Sequence, residues 1–365
     1  MISSYFATVG YRGPGQPGWP RPPRIYDRQI GLQSFRESVE ELEYADELGF
    51  DWVSISEHHY GFSMCAIPTV YGMHMANHLK RAKVAILGPA IPLNNPVRVA
   101  EELALLDNLA EGRLVVGLLR GTPNEYQVYS ANPAETRELT QEGMELILKA
   151  WTEPEPFSWE GRRYKYRMVS VWPRPLQDPF PPTYALGNSA ETCEFAARHH
   201  LGIGVSFGTF EGNGRSTAYY RERCAAHGWQ PEPEQIIYRA RIAIGESEKD
   251  AGASAANITR GAAAADNYLR YGAGVVEAVK ASDPNPFHTG GGPMPGRENY
   301  TPPENGMGPT FVGTPEQIVQ QVHECKDVIG AGVIDFMFNG QMGQEDLKRQ
   351  MKLFADEVMP KIRDI

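Results

Sequence analysis

The sequence predicts a single (β/α)8 barrel, an α/β TIM barrel carrying insertions. Short apolar runs alternate with amphipathic helical runs along the chain, the pattern of βα units around a parallel sheet. Eight such apolar runs fit within 365 residues, a length suited to one barrel with insertions. No shift in composition divides the chain, so residues 1–365 are expected to form one domain.

The elements follow in order. Ser4 to Val9 is a first strand, and Gly10 to Pro23 a Gly/Pro-rich loop. Ser34 to Leu48 carries Phe35, Val39 and Leu42 on one helical face and stops at Gly49, as a helix ending in a left-handed residue does. Asp51 to Ser56 is strand two, Pro68 to Leu79 helix two, and Lys83 to Leu87 strand three. Helix three spans Pro96 to Ala110, strand four Leu114 to Leu119, and helix four Ala134 to Trp151. Phe157 to Tyr164 reads as a hairpin turning at Glu160-Gly161, followed by a proline-rich stretch from Trp172 to Pro182. Thr183 to Leu186, Ile203 to Ser206, Ile236 to Ile244 and Val333 to Phe338 are strands five to eight. Ser189 to His199 is helix five, and Gln344 to Met359 a closing helix stopped by Pro360. Ala281 to Gly308 is rich in Gly and Pro without periodicity, which predicts a lid or a disordered insertion. Gly13-Pro14-Gly15-Gln16-Pro17-Gly18 matches a dinucleotide fingerprint literally, but its prolines forbid the helix start that would hold a pyrophosphate.

Bulk properties narrow the function. Hydrophobic residues are 41% of the chain, enough for a large core. A formal net charge of −10 disfavours nucleic acid as a partner. Cys65, Cys193, Cys224 and Cys325 form no CxxC pair, so neither a zinc ribbon nor a redox dithiol is expected. No secretory signal and no apolar run of membrane-spanning length is evident. A reduced, cytoplasmic protein is the expectation, with no membrane partner.

In a βα barrel the chemistry sits at the C-terminal ends of the strands. After strand two stands Glu57-His58-His59-Tyr60. Adjacent histidines on an extended chain point to opposite sides, so one can face the mouth while the other packs behind. Hydrogen-bonded structural residues and a proton-handling residue both remain open there. A metal site is not expected: His74 and His78 share a helix face, but no third ligand is evident. After strand three, Leu87-Gly88-Pro89-Ala90 leaves backbone exposed, as a flat ring or an ordinary turn would allow. After strand four, Arg120 beside Gly121 suits a phosphate or a surface ion pair. After strand five, Gly187-Asn188-Ser189-Ala190-Glu191-Thr192 opens a helix. Asn188 or Ser189 can cap it, Asn188 with Glu191 resembles a capping box, and the helix start suits an anion. Arg120 and this helix start fall on neighbouring strand ends and together would grip a phosphate from two sides.

Four segments in register resemble the bacterial luciferase-like family of flavin monooxygenases: Gly49-Phe50-Asp51-Trp52-Val53 through Gly61, Pro96-Val97-Arg98 through Gly112-Arg113, Gly117-Leu118-Leu119-Arg120-Gly121, and Ser189 through Arg198 ending at Val205-Ser206-Phe207. The match is good over roughly residues 1 to 210. Further on it rests on the helix start Gly313-Thr314-Pro315-Glu316 and the last strand. The resemblance implies that His58 is the catalytic histidine. It implies a strand-three bulge at Leu87-Gly88 beneath a flavin ring, often a non-proline cis peptide. It also implies an FMN phosphate site from Arg120, Gly121, Asn188, Ser189 and Thr192, with Phe207 packed near the flavin. The implied activity is a two-component monooxygenase, in which a separate flavin reductase supplies reduced FMN and an apolar or aromatic organic substrate takes one oxygen atom. Deazaflavin-dependent hydride transfer and a non-catalytic flavin-binding role are the alternatives on the same fold. Leu119 replaces the reactive cysteine of one luciferase chain, which puts aldehyde-specific light emission in doubt. A homodimer through an apolar face of the second or third helix is also expected.

Overall fold

The computed structural model describes residues 1–14, 19–61, 63–122, 125–264, 310–338 and 343–365. Eight parallel strands close into a barrel: β1 (Ile2–Phe6), β2 (Trp52–Ile55), β3 (Lys83–Ala90), β4 (Leu114–Leu119), β7 (Thr183–Leu186), β8 (Gly202–Ser206), β9 (Ile236–Ile244) and β11 (Val333–Met337), the last pairing with both β9 and β1. The helices are α1 (Arg28–Leu48), α2 (Pro68–His78), α3 (Pro96–Leu109), α4 (Thr136–Thr152), α5 (Ala190–Arg198), α6 (Phe210–Ala226), α7 (Glu248–Ala264), α8 (Pro315–Ile329), α9 (Gln344–Glu357) and α10 (Met359–Ile362). The expected hairpin is present as β5 (Phe157–Glu160) paired with β6 (Lys165–Val169), and a short β10 (Phe311–Gly313) joins β9. No helix among the described residues is long and apolar enough to cross a membrane. The expected lid at Ala281 to Gly308 lies outside the described residues.

Strand alternation sorts the side chains into two bodies. One faces outward and packs the helices, with Leu42, Ile55, Ile86, Leu103 and Phe354 buried. The other fills the barrel with Trp52, Ala85, Leu87, Val115, Tyr184, Ile237 and Val333. Above that apolar floor the interior becomes polar. Asp335 is fully buried, and its Oδ1 accepts from the hydroxyls of Ser4 (2.7 Å) and Ser54 (2.6 Å) while Oδ2 accepts from Arg239 Nε (2.7 Å).

Several boundaries differ from the sequence reading, each for a physical reason. The first strand lies earlier than Ser4 to Val9, because Ile2 pairs with Val333 and Ser3 and Ser4 belong inside the sheet. α1 starts at Arg28, where the Asp27 carboxylate accepts from the backbone N–H groups of Gln29 and Ile30. α9 ends at Glu357 rather than Met359, and Pro360 lies in the first turn of α10, where a missing N–H costs nothing. α6 escaped notice because glycines interrupt its periodicity. Gly214 is there to let α8 approach: a Cβ would stand 2.7 Å from the Val328 carbonyl oxygen. α7 and β10 were not foreseen either.

Removing a buried carboxylate leaves its cation uncompensated in a low-dielectric interior. Asp335→Ala should therefore cost about 3–5 kcal/mol of stability, read by urea unfolding. A loss under about 1 kcal/mol would show that the interior network does not hold the barrel.

Candidate active site

The two histidines after β2 part company as the extended backbone requires. His59 is buried, with Nε2 2.9 Å from Glu57 Oε1. Glu57 Oε2 accepts from the Ala90 backbone N–H (3.0 Å) and from Asn94 Nδ2 (3.2 Å), and the Glu57 N–H donates to the Gly88 carbonyl (2.9 Å). This pair therefore ties the end of β2 to the end of β3. His58 keeps part of its ring exposed, and its Nδ1 lies 3.1 Å from Oε1 of the buried Glu125. Glu125, in a 3-10 turn at Glu125–Gln127, was not singled out from sequence. Its only signal there was its position five residues beyond Arg120 in the loop after β4.

The bulge after β3 is present, since the pairing with β4 shifts between Leu87 and Ala90. The expected cis bond is not. The Leu87–Gly88 peptide is trans, and the cis peptides of the described residues all precede proline. Gly88 makes the bulge with φ +131°, a conformation open to glycine. A Cβ there would stand 1.7 Å from Leu119 Cδ2. Leu119, the departure from the luciferase cysteine, thus fills the space that the missing side chain vacates. Leu87 itself belongs to the apolar interior of the barrel.

Of the five residues expected at a phosphate, three share a cleft, and Gly121 and Asn188 are not among its lining. Arg120, Ser189 and Thr192 line one small cleft with Arg137, Gln141 and Glu191. Arg120 Nε donates to the Tyr126 hydroxyl (2.9 Å), which donates in turn to the Gly121 carbonyl (3.2 Å). Gly121 has φ +89°. Ser189, not Asn188, caps α5: its Oγ accepts from the Thr192 N–H (3.2 Å) and lies 3.1 Å from Thr192 Oγ1. The Asn188–Glu191 box does not form. The Asn188 carbonyl accepts from Ser216 Oγ (3.2 Å), and Glu191 lies 3.5 Å from Arg137. Gly187, at φ +149°, lets the Thr192 hydroxyl come close to the strand end. Arg137 and Gln141 were missed because they project from α4, and only the fold brings that helix against α5's first turn.

Phe207 sits at the end of β8 with φ +53°, an uncommon conformation for an aromatic residue. Two bonds hold it: its N–H donates to the Arg239 carbonyl (2.8 Å), and Asn213 Nδ2 donates to its own carbonyl. The Arg241 guanidinium lies 4.7 Å from the centre of its ring. Arg239 and Arg241 were also missed, although two charges at i and i+2 in the otherwise apolar Ile236–Ile244 run were a visible signal.

Residues 13–331 match the family described as luciferase-like monooxygenase. The chain belongs to this family. The alkanal monooxygenase alpha chain of Photorhabdus luminescens is 30% identical over 165 residues, a stretch covering 45% of each chain, so the match spans about half of that relative's length. The oxygenase component of the flavin-dependent trigonelline monooxygenase of Acinetobacter baylyi is 22% identical over 92% of both chains. Among solved structures, the oxygenating constituent of 3,6-diketocamphane monooxygenase from Pseudomonas putida, a type II Baeyer-Villiger enzyme in complex with FMN, superposes with a TM-score of 0.73 at 18% identity over 99% of both chains. That likeness is one of fold.

The cleft is tested with FMN as the probe. Losing a charge-assisted hydrogen bond costs roughly 1.5–3 kcal/mol, so Arg120→Ala should bind FMN about 10- to 150-fold more weakly in a fluorescence titration. Unchanged affinity would place the phosphate elsewhere.

Proposed function

We propose that this chain is the oxygenase component of a two-component monooxygenase, receiving reduced FMN from a separate reductase and adding oxygen from O2 to an organic substrate. The observation that carries this reading is the cleft in which Arg120, Arg137, Ser189 and Thr192 converge at the first turn of α5, beside the glycine bulge of β3. The residues fit the cofactor. Two guanidinium groups and the first N–H groups of a capped helix suit a compact dianionic phosphate. Leu119, packed in the space beside Gly88, would offer a flat ring apolar contact at the end of β3. Bound reduced FMN would supply the electrons that activate O2.

The protein's own part is to seat the ring, exclude water and move a proton. Glu125 is the orienting partner of His58. A carboxylate on Nδ1 fixes the tautomer and leaves Nε2 as the nitrogen that exchanges a proton at the mouth. His59, tied to Glu57 behind the strand, holds the β2 and β3 ends together instead. On α2 and α3, Val70, Leu105 and Leu109 remain exposed, which supports a homodimer through those helices. Light scattering at twice the monomer mass is the expected result, and a monomer would refute it.

The function is tested by giving the purified protein photoreduced FMN, O2 and a panel of organic substrates, with mass detection of products bearing one added oxygen. A protein that neither binds reduced FMN nor yields such a product does not have this function. With an accepted substrate, His58→Ala should lower product formation about 10²–10⁴-fold, while His59→Ala should chiefly lower thermal stability. Product lost in His59→Ala but kept in His58→Ala would reverse the two roles.

A further inference from the structure

Ser56 is a polar side chain of the barrel interior that the fold leaves without a partner. Strand alternation turns Trp52, Ser54 and Ser56 inward along β2 and just beyond it, while Val53 and Ile55 pack against the helices. Trp52 belongs to the apolar floor, and Ser54 donates to Asp335. Ser56 is the next inward residue toward the mouth. It retains 4% exposure, and among the described residues its buried hydroxyl makes no hydrogen bond. Leaving a buried hydroxyl unpaired costs stability. An alanine there would carry no such cost, so the hydroxyl points to a ligand that completes it.

Its place among the strands says which ligand. Ile55 pairs with Ile86 in the β2–β3 register, so Ser56 stands beside Leu87. The bond from the Glu57 N–H to the Gly88 carbonyl keeps the two strands in step at the bulge. Leu87 belongs to the apolar interior, and Leu119 packs beside Gly88. The cleft of Arg120, Ser189 and Thr192 lies beyond them, at β4 and β7. From β7 through β4 and β3 to β2, the mouth thus runs from an anion site over apolar surface to a hydroxyl. FMN has the same order. Its phosphate chain leaves the ring from one central nitrogen, and the opposite edge carries N5, whose lone pair accepts a hydrogen bond.

We propose that the Ser56 hydroxyl hydrogen-bonds N5 of the bound flavin and so selects FMN over a 5-deazaflavin, which carries a C–H at that position. The inference rests on the flavin reading and deepens it. A hydroxyl both donates and accepts, so one group serves N5 of the oxidised ring and N5–H of the reduced ring. A deazaflavin at the same place would leave Ser56 buried and unpaired. The choice between the two cofactors, open on sequence alone, thereby falls to one side chain of β2's extension.

FMN and 5-deaza-FMN are the probes, each titrated calorimetrically into the full-length protein. The wild type should bind FMN about 3- to 10-fold more tightly than 5-deaza-FMN, the worth of one neutral hydrogen bond. Ser56→Ala should lose that preference. Arg120→Ala should weaken both probes alike and keep it, since both carry the phosphate. Without flavin, Ser56→Ala should melt no lower than the wild type, because it removes an unpartnered hydroxyl. The inference is overturned if the preference survives Ser56→Ala, or if Arg120→Ala removes it equally. A lower melting temperature for flavin-free Ser56→Ala would also overturn it, since the hydroxyl would then be held within the fold. A wild type that binds both probes equally removes the role of Ser56 and leaves the flavin reading standing. One that binds neither removes the flavin reading and this inference together.

Discussion

A barrel must close, and in this protein the closing seam depends on one buried carboxylate. Asp335 on β11 reaches Ser4 on β1, Ser54 on β2 and Arg239 on β9. It thus links four consecutive strands of the ring, including the pairing of the last strand with the first. Burying a charge is favourable only where its partners are complete. Each of these strands therefore places a small hydroxyl or a cation at one height, and the register cannot slip without stranding the carboxylate. The network also divides the interior into a packed apolar floor and a polar upper half open to chemistry.

The mouth above is shaped by what side chains leave out as much as by what they provide. Gly88 has no Cβ because Leu119 occupies that space, and the β3 bulge follows from this packing without a cis bond. The Glu57–His59 pair then clamps the bulge from behind. Two neighbouring histidines thus keep different company, His59 bracing backbone through Glu57 and His58 lying partly exposed beside Glu125. On the far wall, Phe207 keeps a left-handed backbone because Arg239's carbonyl and Asn213 hold it. Strain of that kind costs on the order of 1–3 kcal/mol and persists where surrounding contacts over-determine it.

Much of this was legible in the sequence, and the rest was hidden for definite reasons. The alternation of apolar runs revealed eight barrel strands because parallel strands covered on both faces need apolar residues. Arg120, Ser189 and Thr192 could be grouped because strand ends in a βα barrel share one face. Arg137, Gln141 and Glu125 could not, since a helix turn and a loop carry no periodic mark of which strand end they will meet. The Asn188–Glu191 box failed because Ser189 was the better-placed cap, a choice that depends on where β7 stops.

The sequence by itself determined the fold class and the division of His58 from His59. Periodicity and extended-chain geometry are local, so they survive without knowledge of the rest. Only the tertiary structure decided that the Leu87–Gly88 bond is trans and that Glu125 is the partner of His58. Those facts depend on contacts between strands and loops far apart in the chain, whose geometry is set when the barrel closes around Asp335.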